Sequence, residues 1–101
     1  MREKLIEKRI KTYLFDIGAY NIKIHGSNFQ EPGIPDIIAC YKGKFIGIET
    51  KAPGKLYNQS ELQKIHQRNI EKAGGIYLLT DSLDDVVKII GDIDEDYTNN
   101  K

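Results

Sequence analysis

A two-residue turn at Lys42-Gly43, flanked on both sides by a short apolar run, constrains the fold of this chain more than any other feature. Such a turn closes an antiparallel hairpin. Residues 34–41 read as its first strand, opened by Ile34-Pro35, because proline at a strand's first residue forfeits no interior ladder bond. Residues 44–51 read as the second. The start of one strand, Asp36, then lies beside the end of the other, where Glu49 and Lys51 stand two apart and share a face.

The rest of the chain is arranged around this hairpin. Ile6, Ile10, Leu14 and Ile17 recur at helical spacing, predicting an amphipathic helix over residues 2–17 that ends at Gly18. Tyr20, Ile22 and Ile24 alternate with Asn21, Lys23 and His25, predicting a strand over 20–25 with its apolar side buried. Residues 26–33 are a loop. Beyond the hairpin, Ala52-Pro53-Gly54-Lys55 breaks the chain, and Leu62, Ile65, Ile70 and Ala73 mark a helix over 59–73, stopped by Gly74-Gly75. A strand over 76–80 follows. Ser82-Leu83-Asp84-Asp85 resembles a capping box opening a short last helix. The expected fold is α/β, in the order α-β-β-β-α-β-α, with a small mixed sheet flanked by helices. One domain over 1–91 and an acidic polar tail over 92–101 are expected.

The length of 101 residues leaves room for one such domain and excludes barrels and paired nucleotide-binding folds. No apolar run approaches the ~20 residues of a membrane span. With a single cysteine, Cys40, no disulfide can close within the chain, and a reducing cytoplasm is the expected location. The net charge of zero hides an asymmetry. Residues 1–80 carry 13 Lys and Arg against 8 Asp and Glu, whereas residues 81–101 carry 2 against 7. The basic body suits a polyanionic partner such as nucleic acid.

Singly, Asp36 is an ordinary strand-start residue, and Glu49 with Lys51 an ordinary solvated pair. Together they form a P-D … E-x-K pattern, with Glu49 set among Phe45, Ile46 and Ile48, a poor place for an idle charge. Two carboxylates side by side repel unless a cation lies between them. Oxygen ligands favour Mg²⁺, with Mn²⁺ as a substitute, and the Thr50 carbonyl adds a third oxygen. A metal-bound water could then attack a phosphodiester, with Lys51 stabilising the developing charge.

These residues, with Gly33-Ile34-Pro35-Asp36, Gly43-Lys44-Phe45-Ile46-Gly47-Ile48-Glu49-Thr50-Lys51, Leu62-Gln63 and Ala73-Gly74-Gly75, resemble the PD-(D/E)XK nuclease superfamily. Within it the chain is similar to the small stand-alone VRR-NUC proteins, often phage-encoded, which are similar to archaeal Holliday junction resolvases. The resemblance implies metal ligands at Asp36, Glu49 and the Thr50 carbonyl, and a catalytic lysine at Lys51. It implies a helix-one glutamate at Glu7, with Glu3 as the fallback, and a glutamine at Gln63 positioning Lys51 or the attacking water. Gln59 and Gln67 are the lesser substitutes and are expected to face solvent. The family usually has Val or Ala where Thr50 stands, a mild departure if only the backbone acts.

A Mg²⁺-dependent endonuclease acting on branched DNA such as four-way junctions, as a homodimer, is the activity the resemblance implies. Lys23, His25, Asn28, Gln30 and Lys55 flank the expected cleft and are candidate DNA contacts. Phe29, Phe45 and Tyr57 are candidates for a dimer interface. A flap-cutting or nicking nuclease is the rival enzyme. A non-catalytic nucleic-acid-binding module on the same fold is the rival outside enzymology.

Overall fold

The computed structural model describes residues 2–25 and 31–100. Asn28, Phe29 and Gln30 lie outside the described residues. The elements are α1 (Glu3–Asp16), β1 (Tyr20–Lys23), β2 (Ile37–Tyr41), β3 (Lys44–Thr50), a 3-10 turn (Leu56–Asn58), α2 (Glu61–Lys72), β4 (Ile76–Thr80) and α3 (Leu83–Asn99). Their order is the expected one. The four strands form one mixed sheet in the order β1-β2-β3-β4, antiparallel except for the parallel β3–β4 pair.

Both residues of the Lys42-Gly43 turn have positive φ, 48° and 81°, the backbone of a two-residue hairpin turn. The register runs from Tyr41 opposite Lys44 to Ile37 opposite Ile48. One step further, Asp36 lies opposite Glu49.

Side chains alternate between the two sheet faces. On one face Ile37, Ala39, Ile46 and Ile48 pack against Ile6, Ile10 and Leu14 of α1 and Val86, Ile90 and Ile93 of α3, making a single buried core. On the other face α2 covers the β3–β4 half. Gly47 allows this: a Cβ there would stand 2.9 Å from Pro35 Cγ and 3.1 Å from the Ile70 side chain. No helix among the described residues is long and apolar enough to cross a membrane.

Three local expectations are corrected. Tyr20 and Ile22 are not buried; they are 67% and 41% exposed, because α2 stops short of the edge strand, and it is Asn21 and Lys23 that turn toward α1. Residues 92–99 are not a frayed tail. They continue α3, since Ile93 extends the stripe of Val86 and Ile90 into the core, and Asp94 accepts from the Tyr41 hydroxyl (2.8 Å) and Lys42 Nζ (2.6 Å). The capping box is not at Ser82 either. Asp85 is engaged by the Thr80 hydroxyl at 2.7 Å, and the reciprocal cap forms instead between Ser60 and Gln63 at the start of α2.

Candidate active site

The site lies at the end of the sheet where β2 begins and β3 finishes. Gly33, at φ 86°, lets the loop before β2 press onto the first turn of α2; a Cβ at this position would come within 2.7 Å of the Leu62 backbone. Pro35 is buried, and Asp36 follows with its carbonyl accepting from the Ile24 amide at 2.8 Å. Asp36 is thereby fixed by β1 on one side and β3 on the other.

The contact with β3 is made through Thr50. Its amide and its hydroxyl both donate to Asp36 Oδ2, at 2.8 and 2.9 Å. The same hydroxyl stands 3.5 Å from Glu7 Oε2 on α1. Thr50 is fully buried. Sequence reasoning asked only for its carbonyl, whereas the side chain is what ties Asp36 and the helix-one glutamate to β3. The signal was a hydroxyl where the resembling family has Val or Ala.

Glu49 points to the opposite face, toward α2. Its side chain is 4% exposed, and its Oε1 is a buried side-chain polar atom with no hydrogen-bond partner among the described residues. A buried carboxylate oxygen left unpaired is costly. Burial first, then the negative charge of Asp36 and a hydrogen bond with it, push the Glu49 pKa up from 4.5 to about 8. Lys51 opposes this from 4.0 Å. The Lys51 ammonium is itself held by Gln63 Oε1 at 3.2 Å, and that oxygen also accepts from the Ser60 amide at 2.9 Å. The cap of α2 therefore orients the partner of Lys51.

Asp36 and Glu49 are the carboxylates the hairpin brings together, with Thr50 next to Glu49 in the chain and bonded to Asp36. Among the described residues no three His, Cys, Asp or Glu side chains gather into a ligand cluster. Two carboxylates with a carbonyl nearby nevertheless suit Mg²⁺, which is commonly held by one or two carboxylates and keeps several waters. The Glu49 carboxylate beside Asp36 is the buried and unfavourably placed member of this pair.

Glu7 lies on the other side of Thr50, 15% exposed, and Lys23 binds it at 3.2 Å. Lys23 is thus engaged by carboxylates and does not point freely at solvent. Glu3 and His25 line a cleft of about 650 Å³ with Arg2, Lys4, Lys23, Glu7 and Asp36. Lys55 is exposed near Tyr57, with its ammonium 3.2 Å from the hydroxyl. Gln59 and Gln67 do not face solvent alone: Gln59 donates to Gln67 at 2.8 Å and to the Tyr77 hydroxyl at 3.3 Å, leaving Gln63 as the glutamine on Lys51.

No protein-family model matches the chain, and no curated protein matches it. Solved structures do. One, described as a VRR_NUC domain, aligns with a TM-score of 0.71 at 20% identity, over 88% of this chain and 94% of that one. The agreement is one of fold: four strands and their flanking helices follow the architecture that the sequence resemblance implied.

Proposed function

We propose that this chain, with the fold of a VRR_NUC domain, is a Mg²⁺-dependent endonuclease that hydrolyses phosphodiester bonds of DNA. The observation that carries the reading is Glu49: a carboxylate on an apolar strand, almost wholly buried, with one oxygen unpaired beside Asp36. A binding module has no use for so unfavourable a group, which argues against the non-catalytic alternative.

Asp36, Glu49 and the Thr50 carbonyl would hold the ion. Its chemistry, when bound, is to acidify water and neutralise charge on the phosphoryl group. Thr50 keeps Asp36 in place through two hydrogen bonds to one oxygen. Glu49, whose pKa is raised to about 8, would hold the ion as the ionised carboxylate. Lys51, 13% exposed and fixed by Gln63, supplies a positive charge aimed at the developing phosphoryl charge, shielded enough from water to be effective. Arg2, Lys4 and His25, which line the adjoining cleft, suit the phosphates that flank the scissile bond.

Branched DNA is the substrate we favour, four-way junctions first, and a homodimer is the working unit. The open half of the α2-side sheet face carries Tyr20, Ile22, Cys40 and Phe45 in adjacent rows and offers a surface for a second copy. The test is cleavage of labelled duplex, flap and four-way junction DNAs with Mg²⁺. Preferential cutting of junctions is expected. Equal cutting of plain duplex would defeat the branch-selective reading, and preferential cutting of flaps would favour the rival nuclease. Binding should weaken steeply as salt rises, because phosphate contacts release counterions.

A further inference from the structure

We propose that Lys23 is a tethered counter-cation occupying the Glu7–Asp36 gap, so that the chain takes one divalent ion, at Asp36 and Glu49, and not two. This rests on reading Asp36 and Glu49 as metal ligands.

The two carboxylates that flank Asp36 are in opposite states. On the α2 side, Glu49 Oε1 is buried and has no hydrogen-bond partner among the described residues. On the α1 side, Glu7 Oε2 already meets the Lys23 ammonium at 3.2 Å, and the same ammonium lies 3.9 Å from Asp36 Oδ1. A positive charge is therefore in place between Glu7 and Asp36, the position where a second divalent ion would have to bind. Lys23 reaches this gap because of its strand register. It pairs with Ile37, so its side chain lies on the α1 face, while its apolar neighbour Ile22 lies on the open face. All three groups are largely shielded, with side chains 25%, 15% and 22% exposed for Lys23, Glu7 and Asp36. Their attraction is weakly screened, and a divalent ion entering the gap would meet an ammonium at contact distance. The Glu7 carboxylate is thus neutralised from within the chain, and its role becomes that of a positioning residue for Lys23 and the Thr50 hydroxyl.

The experiment is the stoichiometry of Mn²⁺ binding, read from the free-ion resonance signal in a titration without DNA. Wild type is expected to bind one ion. Lys23→Met, which keeps the aliphatic stem and removes the charge, is expected to bind two, the second about 10-fold more weakly. Lys23→Arg should return the count to one, and so should the double variant Glu7→Gln with Lys23→Met. Thermal unfolding of each variant shows that it is folded. Two ions in wild type, or one in folded Lys23→Met, would overturn the proposal while leaving the Asp36–Glu49 site intact. No ion in wild type would overturn it together with the metal reading. If Lys23→Met does not fold, the wild-type count still decides, since a value of two contradicts the proposal and a value of one, retained in Lys23→Arg, supports it.

Discussion

Thr50 gives both its amide and its hydroxyl to a single oxygen of Asp36, at 2.8 and 2.9 Å. A hydrogen bond to a charged group contributes about 1.5–3 kcal/mol, and here it also sets the direction in which the other Asp36 oxygen points. Thr50→Val keeps the shape and the amide and removes only the hydroxyl. Divalent-ion affinity should fall about 10-fold, with cleavage following it, as measured by titration calorimetry. Unchanged affinity would mean that the hydroxyl is a packing feature.

The pKa of Glu49, raised from 4.5 to about 8, makes metal-free stability depend on pH with a definite sign. The folded state holds this proton more tightly than the unfolded chain. Its contribution is therefore fully present below pH 4.5 and is lost as pH rises through about 8. Metal-free protein should be less stable at pH 8.5 than at pH 6 in urea denaturation, and Glu49→Gln should flatten that slope. Mg²⁺ should stabilise wild type more at pH 8.5 than at pH 6, because the competing proton is gone. A flat profile in metal-free wild type would contradict the buried-acid reading.

Gln63 has two tasks that substitution can separate. It closes the cap of α2 with Ser60 and accepts from Lys51. Gln63→Ala should cost about 1 kcal/mol of stability through the cap and lower kcat about 10-fold through the loosened lysine. Gln63→Glu keeps the cap, since Glu serves as well at the third helical position. It should retain stability in thermal melting yet alter the pH profile of kcat, because a carboxylate now faces Lys51. A Gln63→Glu protein with the wild-type profile would reduce Gln63 to a cap.

The open apolar rows on the sheet predict self-association. Wild type should run as a dimer in light scattering at micromolar concentration. Ile22→Lys, on an exposed edge-strand position, should shift it toward monomer without loss of helix or sheet signal. A monomeric wild type would leave those rows unexplained by a second copy.

Much of this arrangement was legible in the sequence, and the parts that were not have physical reasons. The Lys42-Gly43 turn sets the hairpin register, and register alone places Asp36 opposite Glu49. Helix periods in residues 3–16 and 61–72 are strong, and their glycine stops are clear. The facing of β1 was misjudged because alternation shows that a strand has two sides, not which of them a helix will cover. Here α1 takes the side of Asn21 and Lys23, where Lys23 meets Glu7, and no helix covers Tyr20 and Ile22 among the described residues. The acidic run 92–96 hid the continuation of α3, whose evidence was the single apolar Ile93 at the right phase. The role of the Thr50 side chain depended on the proximity of three elements, which no local pattern contains.

The central claim is tested most directly by incubating a labelled four-way junction with wild type and with Glu49→Gln, each with Mg²⁺ and with a chelator. Glu49→Gln is close in shape and should fold and bind DNA. Cleavage by wild type with Mg²⁺ alone, and a loss of at least about 10³-fold in the variant, is the result expected. Cleavage that survives chelation, or a Glu49→Gln protein that cuts like wild type, would contradict it.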